Sequence, residues 1–166
     1  SELPDSSIEV GLDLIFGGNH SDIVFQLKSG EACEEKRLRC IRAIETLYAE
    51  CFEQRCAPVL SHLSERGNQL NGPCFMLWDV TPLSYFPDAD PRRNSGDLDA
   101  LLEVLEKVLY LRNSACVESA LHGLGHMNRS SKGAVERIIE RYVDARTDLS
   151  PALLKYAHAA YHGMVN

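Results

Sequence analysis

Two pairs of histidines carry the first chemical signal in this chain, His122 with His126 and His158 with His162, each at i, i+4 spacing. On a helix that spacing presents two imidazole nitrogens from one side, an arrangement suited to zinc and other late transition ions. Glu118 precedes His122 by four residues and extends the same row. At 100° per residue, Val117, Ala120, Leu121 and Leu124 define an apolar stripe, so Glu118, His122 and His126 are expected on the opposite, accessible side. His158 and His162 stand in the same relation to Leu153, Ala157 and Ala160. No H-E-x-x-H motif is present, because Gly123 and Gly125 occupy the positions where a metalloprotease motif needs its general base.

Further candidates are weaker as chemistry. Trp78 is the one tryptophan and sits beside Asp79; exposed, the pair could anchor a partner, since tryptophan is enriched at binding hot spots. Buried, Trp78 is core and Asp79 caps a helix or pairs with an arginine. His62 lies among Ser61, Ser64 and Glu65, but a catalytic triad is defined by geometry, and these are only neighbours along the chain. Neither a P-loop, a G-x-S-x-G elbow nor a dinucleotide fingerprint occurs.

The elements that must position these residues read as helices. Ile8, Leu12, Ile15 and Phe16 fit a first helix, with a β-hairpin over residues 8–28 as the alternative, because Val10, Leu12 and Leu14 also alternate. A long helix runs from Glu31 to Arg55 and stops before Pro58, followed by a shorter one from Val59 to Glu65. Pro73 to Val80 reads as a short buried helix opened by its proline. Helices are then expected over 97–112 (capped by Asp97), 114–127 (from Ser114), 131–146 (from Ser130 or Ser131) and from Ser150-Pro151 onward. Gly123 and Gly125 each cost such a helix about 1 kcal/mol against alanine, so a close neighbour is expected at both.

Ser114 to Met127 aligns with Ser150 to Gly163 at an offset of 36, which pairs Ser114 with Ser150, His122 with His158 and His126 with His162. Each member follows a helix of about four turns, and paired helices at such a period belong to stacked solenoids. The unit resembles HEAT-like repeats. The stretches RCAPVLSHLSE, CFMLWDV-x-P and ACVESALHGLGHM are also similar to an uncharacterised bacterial group of HEAT-like character. The resemblance implies an all-α fold of stacked helical hairpins and transfers no activity. On this reading residues 1–166 form a single domain: 1–55 an N-terminal cap and long helix, 56–83 a degenerate repeat, and 97–128 and 131–166 two clearer repeats.

Composition narrows the function classes. A hydrophobic content of 45% over 166 residues supports one globular core. The net charge of −7 argues against a nucleic-acid surface. No run reaches the ~20 apolar residues of a membrane span, and no export signal is legible, so a cytoplasmic location is expected. The six cysteines contain no C-x-x-C pair and are read as reduced thiols, with Cys33, Cys40 and Cys116 filling helix interfaces. The expected function is a non-catalytic module, without cofactor, that presents Glu118, His122, His126, His158, His162, Trp78 and Asp79 to a protein partner, favoured to be basic. The alternative is a metal-binding protein or metal-dependent hydrolase using the four histidines. A histidine serving proton transfer or pH sensing is a further option, and so is repeat periodicity alone, which would place equivalent imidazoles without a ligand.

Overall fold

The computed structural model describes residues 3–18, 22–28, 32–85 and 96–165, and these are all-helical, with no strand among them. The helices are α1 (Asp5–Phe16), α2 (Ile23–Lys28), α3 (Glu34–Leu47), α4 (Asn71–Val80), α5 (Asp97–Leu109), α6 (Ser114–Ala145) and α7 (Pro151–Tyr161). The hairpin alternative for residues 8–28 is therefore overturned. Ile8, Leu12 and Phe16 recur every four residues and turn together toward the core, and Val24 of α2 is fully buried beside it, which is the helical period and not the strand period.

Helix α3 continues through a π-helical turn, Tyr48–Phe52, to a last turn at Glu53–Arg55. The two aromatic ends of the π turn are fully buried, edge to face at 5.1 Å between ring centroids. The helix expected over 59–65 shrinks to one 3-10 turn, Ser61–Leu63. Its backbone amides are claimed by side chains: Leu60 N–H donates to Glu65 (2.7 Å), while Ser61 and His62 N–H donate to Glu118 (2.8 and 2.9 Å). Ser64 then closes the turn at φ 58°.

Capping differs from expectation in two places. Gly96, at φ 79°, occupies the position before α5, and Asp97 instead takes a bidentate hydrogen bond from Arg37 at 3.1 and 3.3 Å, both residues being buried. Asn113, not Ser114, caps α6 by accepting from Ala115 N–H at 3.0 Å. Ser150 caps α7 as expected, accepting from Leu153 N–H at 3.2 Å with Pro151 in the first turn. The two helices expected over 114–127 and 131–146 form one run broken by a single non-helical residue, Ser131 (φ −149°, ψ 49°).

Cross-helix contacts order the elements into two rows. In the first, α3 and α5 run side by side in the same direction, since Arg37 meets Asp97, Arg42 meets Glu103 (3.4 Å) and Glu45 meets Lys107 (2.8 Å). Beyond α5 the part of α6 after Ser131 runs the same way, with Glu106 on Arg141 (2.7 Å) and Tyr110 against Tyr142. In the second row α4 lies beside the first part of α6, and α7 lies on its far side: Cys74 Sγ approaches Ala115 O, Asp79 meets His126, and Asn128 donates to Tyr161 O. The rows meet where Trp78 of α4 stacks on Tyr48, and where Gly123 faces Leu105. All six cysteines are free thiols, with Cys116 buried as expected. Cys33 and Cys40, expected in an interface, are exposed.

Candidate functional site

The first half of α6 is enclosed on three sides, by α4, α5 and α7, and between Ala115 and Asn128 every residue but His126 is buried. A helix with three neighbours has no free side, so the polar row opposite the apolar stripe forms a second interface. This corrects the accessible placement expected for Glu118 and His122, which are 0% and 1% exposed. Trp78, at 1%, is core. Asp79, His126, His158 and His162 do reach the surface.

The two helical glycines make this enclosure possible. A Cβ on Gly123 would stand 2.8 Å from Leu105 Cδ2 and 2.9 Å from Trp78 Cγ, and one on Gly125 would stand 2.6 Å from Val165 Cγ1. Trp78 therefore seats on α6 itself, and the next residue of α4, Asp79, is carried against the histidine row.

There Asp79 holds both imidazoles of the pair. His122 Nε2 lies 2.8 Å from Asp79 Oδ2, His126 Nε2 lies 3.0 Å from Oδ1, and the two Nε2 atoms are 3.0 Å apart. The partners of Asp79 are thus histidines, not the arginine or helix cap expected. On the other side of His122, Nδ1 is 2.6 Å from the Tyr156 hydroxyl of α7. That hydroxyl suits both tautomers: it donates to Nδ1 when Nε2–H points to Asp79, and accepts from Nδ1–H when the Nε2 lone pair is free. Phe75 packs its ring on His122 at 4.6 Å.

Burial and a single carboxylate set the electrostatics of the pair. Burial pushes the His122 pKa down, opposed by the nearby Asp79 carboxylate, so the imidazole is biased to the neutral form that binds metals. Asp79 sits in the last turn of α4, where the helix carbonyls disfavour a negative charge unless a positive one stands beside it. The two Nε2 atoms stand 3.0 Å apart, a hydrogen-bond distance at which one ring donates and the other accepts.

A second polar cluster continues the row by one helical turn. Glu118, wholly buried, accepts from His62 Nδ1 at 2.5 Å as well as from the two backbone amides of the 3-10 turn. The His62 ring stacks on Tyr156 at 4.2 Å, and burial raises the Tyr156 pKa well above the ordinary phenol value. Tyr156 is the residue that the sequence hid, and His62, noted beside Ser61, Ser64 and Glu65, has Glu118 as its partner instead. Under the 36-residue offset Tyr156 falls on Ala120, so the repeat gives no sign of it.

His158 and His162 remain apart. Their Nε2 atoms lie 3.4 Å from each other on the exposed face of α7, and the close three-group cluster among the described residues contains only Asp79, His122 and His126. That cluster opens outward into a cavity of about 380 Å³ whose walls include Phe25, Thr81, Ser84 and Tyr85 with Asp79 and His126. Among the described residues no helix is long and apolar enough to cross a membrane. No protein-family model matches the chain, and neither a curated protein nor a solved structure does.

Proposed function

We propose that this protein binds one divalent transition-metal ion through Asp79, His122 and His126, and that a fourth coordination position faces the cavity beside Phe25 and Tyr85. The observation that carries this reading is the convergence of two Nε2 atoms and a carboxylate within 3.0 Å of one another, drawn from two helices. Ligand atoms around a tetrahedral ion with bonds of ~2.0–2.1 Å stand about 3.3 Å apart; one ligand atom from each of the three residues already lies within 4.8 Å of the others, and because His122 meets Oδ2 and His126 meets Oδ1, loading would turn the carboxylate so that one oxygen faces both imidazoles. Two histidines and one carboxylate are a set that leaves room for water or substrate, and an ion so held supplies Lewis acidity and an activated water. Tyr156 then serves as the partner that orients a ligating histidine through its other nitrogen.

The scaffold, in our reading, is a stack of three helical hairpins of HEAT-like character: α3 with α4, α5 with the first part of α6, and the rest of α6 with α7. The support is the same-direction neighbours within each row. The metal cluster then lies between the second helices of the first two hairpins, with Tyr156 contributed by the third.

The test is a titration of chelator-treated, tag-free protein with Zn²⁺ and Co²⁺. One ion per chain is expected, with visible Co²⁺ bands of four-coordinate character. His126→Ala, at a partly exposed position, should weaken binding at least about 100-fold, and Asp79→Asn should do the same, whereas His158→Ala should leave it unchanged. Absence of stoichiometric uptake, or uptake indifferent to both His126→Ala and Asp79→Asn, refutes the assignment.

A further inference from the structure

A groove of about 480 Å³ runs between α1 and α4, on the other side of Val80 from the cavity beside Asp79 and His126. Its floor is Leu12, Phe16 and Leu77, and Val10, Met76 and Val80 form its rims. Those three rim residues are 69%, 42% and 47% exposed, a concentration of open aliphatic surface of the kind that marks an interaction site. Gly72 lines the groove as well, and a Cβ there would meet nothing within 4 Å. Among the described residues no neighbour requires that glycine, in contrast to Gly123 and Gly125.

Charge identifies the occupant. Helix α1 carries Asp5, Glu9 and Asp13 at i, i+4, i+8, and neither α1 nor α4 contains a lysine or arginine. Asp5 is neutralised by Arg55 at 2.7 Å, Glu9 accepts from the neutral Gln69 at 2.7 Å, and the residues lining the groove include two carboxylates, Glu9 and Asp13, and no lysine or arginine. A second copy of this chain paired across α1 would set this acidic row against itself. An anionic lipid surface would meet the same repulsion.

We propose that the groove docks an amphipathic helix of a basic protein partner, with aliphatic side chains on the floor and lysine or arginine along the α1 rim. The 12 residues of α1 span about 18 Å, which matches a partner segment of about three turns.

The experiment uses the full chain and two synthetic helical peptides with one leucine face, flanked by lysines in one and glutamates in the other, followed by fluorescence anisotropy. The lysine peptide should bind at least about tenfold more tightly than the glutamate peptide. Val10→Asp and Gly72→Trp should each weaken it by about tenfold or more, with the melting temperature nearly unchanged. Val10→Asp separates docking from general attraction, because it adds negative charge and would strengthen a purely electrostatic association. Comparable binding of both peptides, no binding of the lysine peptide, tighter binding by Val10→Asp, or a homodimer that Val10→Asp dissociates each overturns the proposal.

Discussion

Replacing Tyr156 by Phe deletes one oxygen, and the structure separates its consequences for folding from those for metal binding. Without metal, His122 Nδ1 loses a 2.6 Å partner in a site where the residue is 1% exposed. Leaving such an atom unsatisfied costs about 1–3 kcal/mol. The phenyl ring preserves the stack on His62, so little packing should be lost. With metal, the lost hydroxyl no longer orients the ligating imidazole, a change that weakens comparable sites by about 10–100-fold. Zinc at a hundred times the wild-type dissociation constant should stabilise the native protein by about 2.7 kcal/mol. For a chain of this length that is a rise of about 5–11 °C in melting temperature. At the same free zinc, Tyr156→Phe should retain only about 0.4–1.4 kcal/mol of that stabilisation. Urea denaturation of the chelator-treated proteins measures the first effect, and competitive zinc titration with thermal melts measures the second. A variant that is destabilised without metal yet keeps wild-type zinc affinity would show that the hydroxyl serves the fold alone, and the orientation of His122 toward a metal would have to be abandoned.

Two other expectations test the packing that builds the site. Gly123→Ala should be net destabilising by about 1 kcal/mol, because overpacking against Leu105 and the buried Trp78 costs about 1–3 kcal/mol and the gain in helix propensity returns about 1 kcal/mol. Gly125→Ala should be destabilising too, since its Cβ would stand 2.6 Å from both methyls of Val165, a β-branched side chain with little freedom to move aside; urea midpoints at or above that of the wild type for either variant contradict this account. Thiol titration of the native chain should show Cys33 and Cys40 reacting fast, and Cys56, Cys74 and Cys116 reacting only on unfolding. Burial raises the Cys74 pKa well above the thiol range and reinforces its protection; rapid native modification of Cys74 or Cys116 would show that this part of the core is open.

What was legible in the sequence follows from range of interaction. Helices α1, α3, α4, α5 and α7 were marked by their own periodicity and breakers, signals confined to neighbouring residues. The extent of the 59–65 segment was not, because it is decided by Glu118, a carboxylate more than fifty residues away that takes two of its amides. Asp97 failed as a cap for the same reason, its carboxylate being drawn to Arg37 across the helix interface. In the site, the sequence marks the His122 and His126 pair and the Trp78-Asp79 pair separately, and nothing local to either brings Asp79 onto the imidazoles. The helical wheel assumed one packed side, while α6 is packed on three. Gly123 was the clue in the sequence: a glycine kept inside a helix implied a close neighbour, and that neighbour is the tryptophan adjoining Asp79.

Position in the row, more than the histidine motif, separates the two pairs. His122 and His126 and their counterparts His158 and His162 share spacing and offset, and both pairs bring their Nε2 atoms within 3.4 Å. The first pair lies on a helix flanked by α4 and α7, and receives a carboxylate from one neighbour and a hydroxyl from the other. The second lies on the last helix described, with α6 on one side, and its imidazoles face outward. Two imidazole pairs share one spacing, and among the described residues enclosure brings a carboxylate to the first of them. Moving a carboxylate beside His158 and His162 should accordingly be insufficient to reproduce the site, because among the described residues no second neighbour fixes an imidazole there through Nδ1 as Tyr156 fixes His122.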